Sequence, residues 1–316
     1  MGKASRRPRS TAGSAAGRPG KPGRSGKVAP APYVARPFAG LGNEPDWVAI
    51  REILPAATAI VRLDPSVAGA GPADAATDAA EENASDEVTI ATVLPMAWPG
   101  LHRADGTVLV ATQSGSSSGD ASRDLAAAVL ATRALPAGTP LTQVPAVTAD
   151  TPRLQDLLAP DQELEVTIHD GFEFWVGDGE LDADAKASLE RANASIVPTV
   201  RVRGADSAYH VAYGDRAFIR VVLAEDEDPA TDALARLHAA GADALGEDTR
   251  LLGAFRACGA LVPVIEVDPA AEPTAHEEAL AAWSSRYAEA AASRTPLTSE
   301  ERRARNGLLG RQVTLR

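Results

Sequence analysis

Few residues in this 316-residue chain stand at spacings that do chemistry. Gly115-Ser116-Ser117-Ser118-Gly119 spells G-x-S-x-G between a strand-like apolar run and a helix-like one. In a nucleophile elbow that turn lifts the serine hydroxyl above a sheet, beside backbone donors for an oxyanion. Ser117 is thus the nucleophile of a hydrolase reading. Against it, the match lies in a Ser/Gly run, the cap of the next helix is Asp120 beyond the motif, and no His-Gly-Gly segment precedes it. The histidines His102, His169, His210, His238 and His276 are scattered without paired-ligand spacing, so no metal site is expected. Glu225-Asp226-Glu227-Asp228 offers charge for a divalent cation, but it more simply caps and solvates the helix behind it. Gly20-Lys21 and Gly26-Lys27 lack the spacing and preceding strand of a phosphate loop, so no nucleotide cofactor is implied. The single cysteine, Cys258, excludes an internal disulfide and reads as an inert thiol in an apolar run.

Binding surfaces are better represented than catalytic ones. Residues 1–43 hold nine Lys or Arg and no acid, so the remainder carries −21 of the net −12. A basic arm on an acidic body is an interaction-tail pattern. Arg6, Arg7, Arg9, Arg18, Lys21, Arg24 and Lys27 are its candidate polyanion contacts, for nucleic acid or ribosome, with a solubilising tail as the plain alternative. Among the tryptophans, Trp47 and Trp283 fall on helical stripes and read as core. Trp98 and Trp175 sit near turns, and with Phe172 they form the candidate partner-binding surface.

The elements that carry these residues follow from periodicity and turn chemistry. An apolar fraction of 45% supports a core, and 4% aromatics means that Val, Leu, Ile and Ala must build most of it. Residues 1–32 lack large apolar side chains and are expected to be disordered. From residue 47 the order reads helix 47–54, strands 59–63, 88–94 and 107–112, helix 122–135, a short helical piece 154–158 and a strand 164–169. From residue 186 it reads helix 186–196, strands 198–203, 208–213 and 217–223, helix 231–245, a helical piece 251–258 and a strand 261–267. The repeated order suggests an internal duplication, although identity between the halves is thin and coincidence stays open. The fold expected is α+β: two similar subdomains, each an antiparallel-type sheet backed by helices. The boundaries are an arm at 1–43, a first repeat at 44–176 with an acidic loop at 64–87, a second repeat at 177–270, and C-terminal helices at 271–316. Two capping boxes, Thr274 with Glu277 and Thr298 with Glu301, open those helices, and Glu301 is spaced to pair with Arg305.

Certain stretches also carry a resemblance. Leu-Pro-Ala-Ala-Thr at 54–58, Leu-Pro-Met-Ala-Trp-Pro-Gly-Leu-His-Arg at 94–103 and Ser-Leu-Glu-Arg-Ala-Asn-Ala-Ser at 188–195 are among them. With Arg-Leu-His-Ala-Ala-Gly at 236–241 and Arg-Gln-Val-Thr-Leu-Arg at 311–316, the chain resembles an actinobacterial family of unknown function. Members sometimes carry the label of a preprotein translocase motor subunit. The missing nucleotide loop and Cys-rich zinc motif argue against that label here. The element order is also loosely similar to secretion-chaperone-type folds, which bind polypeptides. No leader-like apolar run follows the basic N-terminus, and the most apolar stretch, 251–267, is broken by Arg256 and Pro263. The expectation is a cytoplasmic binding or adaptor protein without membrane contact. A nucleic-acid- or ribosome-associated factor and a hydrolase using Ser117 are the alternatives.

Overall fold

Alternation of small and branched apolar residues builds the first sheet. A computed structural model describes residues 29–68, 86–93, 98–113, 117–177 and 181–310. The arm cations up to Lys27, residues 69–85 of the acidic loop, Gly115-Ser116 and the terminal residues 311–316 lie outside them. The chain runs α1 (Glu44–Glu52), β1 (Ala57–Arg62), a one-turn α2 (Pro65–Ala68), β2 (Glu87–Ala91), β3 (Gly100–His102) and β4 (Val108–Ala111). It continues with α3 (Ala121–Arg133), β5 (Thr139–Leu141), a one-turn α4 (Leu154–Leu157) and β6 (Val166–Ile168). After a 3-10 turn at Glu173–Trp175 come α5 (Ala183–Asn193), β7 (Thr199–Arg201), β8 (Ala208–Tyr213), β9 (Arg216–Val221) and α6 (Glu227–Ala239). The strands β10 (Arg250–Ala257) and β11 (Ala260–Val267), a 3-10 turn at Pro273–His276, α7 (Glu277–Ala292) and α8 (Ser299–Gly310) complete it.

The architecture is α+β with two sheets. The first has strand order β5-β3-β4-β2-β1-β6, and its β2–β4 pair is parallel while the other pairs are antiparallel. The second, β10-β11-β9-β8-β7, is antiparallel throughout. Strand order and sense therefore differ between the sheets, which gives the duplication no topological support.

Packing is layered. Helix α1 lies between the sheets: Trp47, Val48 and Ile50 share one core with Val61, Ile90 and Val110 of the first sheet and with Tyr209, Val222 and Val262 of the second. Phe38 stacks on Trp47 at 5.8 Å between ring centroids, so residues assigned to the arm are part of this core. The far face of the second sheet, with Ile219, Val221 and Ile265, is covered by Leu234 of α6 and by Leu280, Trp283 and Tyr287 of α7. The far face of the first sheet is covered by the 3-10 turn at Glu173–Trp175 and by α5. Chain order counted α5 with the second half, but Leu189 and Ala192 pack on the first sheet. Each large side chain so buried contributes about 1.5–3 kcal/mol of transfer free energy. Among the described residues, no helix is long and apolar enough to cross a membrane.

Several elements differ from the sequence expectation, each for a local reason. Residues 251–257, expected to be helical, lie in strand β10, because Cys258 (φ 46°) and Gly259 (φ 78°) make a two-residue left-handed turn into β11. That turn is pressed on the N-terminal segment, where a Cβ added to Gly259 would sit 2.4 Å from the Ala35 carbonyl oxygen. The turn-rich stretch before β4 holds strand β3. It meets α3 so closely that a Cβ on Gly100 would lie 2.1 Å from Thr132 Oγ1. The Pro-rich connector supplies β5, where Pro140 is tolerated on the sheet edge. Asn43 does not cap α1; it adopts φ 53°, and its side chain points to the Leu164 carbonyl at 3.4 Å. The Thr298–Glu301 box forms in both directions, at 2.6 and 3.2 Å. The Thr274 box does not, because a 3-10 turn occupies the position and Glu277 instead accepts from the Arg203 amide at 3.3 Å. Arg305 leaves Glu301 for Asp232 and Asp228, both at 2.6 Å, and so fastens α8 to α6.

Candidate functional site

Trp98 stands on a stiff support. Pro99 restricts the backbone after it, and the Pro99 carbonyl accepts from the Ala111 amide at 2.9 Å. Gly100 then locks β3 against α3. On this base the Trp98 side chain is 48% exposed, while Trp47, Trp175 and Trp283 are 1–3% exposed.

The other two members of the expected aromatic surface are not on the surface. Phe172 and Trp175 are each 3% exposed, which corrects the reading of residues 172–175 as an exposed seam. The reason is steric. Ala56, Ala91 and Ala111 leave a shallow hollow on the far face of the first sheet, and the two large rings fill it together with Leu109 and Ala192. Trp175 Nε1 donates to the Thr92 carbonyl at 2.9 Å, and the Phe172 amide donates to Asn193 Oδ1 at 3.0 Å. His169 also belongs to this lid, with Nε2 2.7 Å from Thr58 Oγ1 and its ring 4.8 Å from that of Phe174.

Ser117 lies in the loop before α3, where its Oγ accepts from the Gly119 amide at 3.4 Å. The helix is capped by Asp120, which accepts from the Ser122 amide at 3.1 Å and is bracketed by Arg123 and Arg153. Among the described residues, no histidine is paired with Ser117. His102 meets the Leu135 carbonyl at 2.6 Å, His238 meets Asp243 at 2.6 Å, and His210 and His276 face each other with ring centroids 6.2 Å apart. The Cys258 thiol approaches Glu52 at 3.7 Å and is pushed up to about 12, by burial first and by the Glu52 charge second. It is a protonated thiol at neutral pH.

The acidic run 225–228 serves four separate tethers. Glu225 accepts from the Tyr287 hydroxyl at 2.7 Å, Asp226 pairs with Arg36, Glu227 with Arg256 at 2.5 Å, and Asp228 with Arg305 at 2.6 Å. Among the described residues, no group of three or more His, Cys, Asp or Glu is placed to hold a metal ion.

One polar site escaped the sequence reading. Asp46, in the first turn of α1 and 3% exposed, accepts from Tyr209 Oη at 3.0 Å and from Arg201 at 3.0 Å. The Arg201 guanidinium lies 5.9 Å from the Tyr209 ring centroid. Burial, and then the Asp46 charge, raise the Tyr209 phenol well above its ordinary value, so it remains a donor. This trio joins α1 to the second sheet across 155 and 163 residues of sequence, and local spacing carries no sign of it.

The model of a family of unknown function, DUF5926, matches residues 37–316. The chain belongs to that family. No curated protein and no solved structure matches the chain. The DUF5926 region begins at Pro37, next to the core residue Phe38, and so takes in both sheets but not the cation-rich arm.

Proposed function

We propose that this DUF5926 protein is a cytoplasmic binding or adaptor protein that engages a macromolecular partner through the surface around Trp98. The observation that supports it most is the contrast among the tryptophans, with one half-exposed and three almost wholly buried. A tryptophan on a rigid base presents a large apolar area at little entropic cost, as interface anchors do. The dispersal of histidines, acids and the thiol into structural pairs favours binding over chemistry. Affinity capture with wild type, Trp98→Ala and the exposed control Tyr213→Ala tests it. Loss of the captured partner with Trp98→Ala alone, at unchanged melting temperature, is expected. Equal capture by all three would overturn it.

A second reading rests on the arm. Arg36 is bound to Glu44 at 2.7 Å and to Asp226, and the other eight cations of residues 1–43 all fall within residues 1–28 of the sequence. Such a segment favours polyanions by counterion release. Removing residues 1–28 is expected to abolish RNA retention on a filter assay, and retention by the full chain should fall steeply between about 50 and 200 mM salt. Salt-independent retention, or retention without the arm, would contradict it.

A further inference from the structure

The rings of His210 in β8 and His276 in the 3-10 turn before α7 lie nearly parallel, with planes 11° and centroids 6.2 Å apart. His210 is 6% and His276 9% exposed, and the Nε2 of each is buried without a hydrogen-bond partner. Neither ring has a place for a second proton. An imidazolium donates from both nitrogens, and neither Nε2 has an acceptor. Two such cations would also repel each other at this separation of 6.2 Å. His276 is the N-cap residue of the 16-residue α7, where the helix dipole opposes positive charge. The strands on either side of His210 set Val200 and Ile219 opposite it and bring no carboxylate. The charged residues of the other elements at this junction are Asp268 after β11, Arg203 and Asp206 in the β7–β8 turn, Glu272 before the 3-10 turn, and Glu277 and Glu278 in the first turn of α7. Asp268 favours a charge on His276, but burial outweighs it. Glu277 is engaged with the Arg203 amide at 3.3 Å.

We propose that this pair is an acid-operated latch: protonation frees residues 273–280 from β8 and opens the sheet face beside Val200, while the rest of the fold stands. The junction is the weakly held end of α7. The helix starts without a side-chain cap, Pro273 has no amide to donate, and the Ala275 amide bonds within the turn, to the Glu272 carbonyl at 2.9 Å. Trp283 and Tyr287, packed in the core of the second sheet, hold the helix beyond it. Burial lowers both imidazoles from the ordinary 6.5, and opening returns them towards it. The open form therefore binds protons that the closed form refuses, and it grows as pH falls below 6.5. What it uncovers is apolar. Val200, already 44% exposed, pairs with His210 in the sheet, and Leu280, wholly buried when the latch is closed, comes away with the segment. The latch thus presents an apolar contact surface in acid and closes it at neutral pH.

Hydrogen exchange of the full chain, read by mass spectrometry at about pH 7.5 and about pH 5.5 and corrected for the intrinsic pH dependence of exchange, tests this. Protection of the amides of residues 274–280 is expected to fall at least about tenfold at the lower pH, as opening takes up protons. There it should lie at least about a hundredfold below the protection of β8 and β9, which marks local opening rather than global unfolding. His276→Asn supplies a residue that caps helices well, so it should keep the fold and remove the share of the fall that belongs to His276. With His210→Asn added, the fall should shrink to under about twofold. Equal protection of wild-type residues 274–280 at both pH values, a fall undiminished by His276→Asn, or protection equal to that of β8 and β9 at the lower pH would each overturn the proposal.

Discussion

The tryptophans divide by surroundings, and substitution should separate them. Trp175 and Trp283 are packed on all sides and each donates an indole N–H, to the Thr92 carbonyl at 2.9 Å and the Asp243 carbonyl at 3.1 Å. Truncating either to alanine should cost about 3–5 kcal/mol, while Trp98→Ala should cost under about 1 kcal/mol. Urea titrations of the three variants check this, and a Trp98 cost equal to that of Trp175 would place Trp98 in the core. Position in a turn was legible for both Trp98 and Trp175. What was not legible was the hollow of alanines that takes up Trp175, because Ala56 just before β1, Ala91 of β2 and Ala111 of β4 lie far apart in the chain. The buried pair His210 and His276 carries a pH signature. Burial lowers both imidazoles below the ordinary 6.5; at His210 its neighbour His276 adds to this, and at His276 Asp268 opposes it. The unfolded chain then binds protons that the folded chain refuses, so this contribution is whole above pH 6.5 and is lost as pH falls below it. Burial lowers His169 in the same direction. Glu227 and Glu266, held low by arginines, act in a separate window below their ordinary 4.5. Denaturation midpoints should decline from about pH 6.5 to 5.5, and a His210→Asn, His276→Asn double variant should flatten most of that decline. A wild-type midpoint that is level across the window would contradict it.

At the scale of elements, the trio of Asp46, Tyr209 and Arg201 is the polar clasp between α1 and the second sheet. Asp46→Ala would take the carboxylate acceptor from the wholly buried Tyr209 hydroxyl and leave it the long contact with Ser207 Oγ at 3.4 Å, whereas Arg201 is 40% exposed and regains water. The expected cost is about 2–4 kcal/mol, most of it from the phenol. Tyr209→Phe should cost about 1 kcal/mol, and a double-mutant cycle with Asp46→Asn should return a coupling near 1 kcal/mol. Strict additivity in the cycle would show that the two groups do not interact. Elements set by local rules were readable: the stripe Leu280, Trp283 and Tyr287, the Asp120 cap and the Thr298–Glu301 box all depend on residues within a few positions of one another. Where a neighbouring segment decides the outcome, the sequence misled. Strand β10 reads as helical until the left-handed turn at Cys258-Gly259 and its seat on Ala35 are known. Glu301 and Arg305 have ideal helical spacing, yet two carboxylates of α6 take the arginine.

Across the whole molecule, most helices and long strands were readable, but β3, β5, β10 and the pairing of strands were not. Three strands lie between α5 and α6 but four between α1 and α3, and β2 and β4 pair in parallel while β8 and β9 pair antiparallel. Pairing sense depends on where connections such as β3 insert, and periodicity is blind to that. The halves are also less separate than a two-domain reading implies, since Trp47 and Ile50 share one core with Tyr209 and Val262. On that joined body, Trp98 is the tryptophan left facing solvent. Photo-cross-linking in the cells that make the protein tests its role most directly, with benzoylphenylalanine placed at position 98 and, as a control, at the exposed position 213. A discrete adduct of one partner from position 98, absent from position 213, is the result expected of a contact surface at Trp98. No adduct from position 98, or the same adducts from both positions, would contradict it.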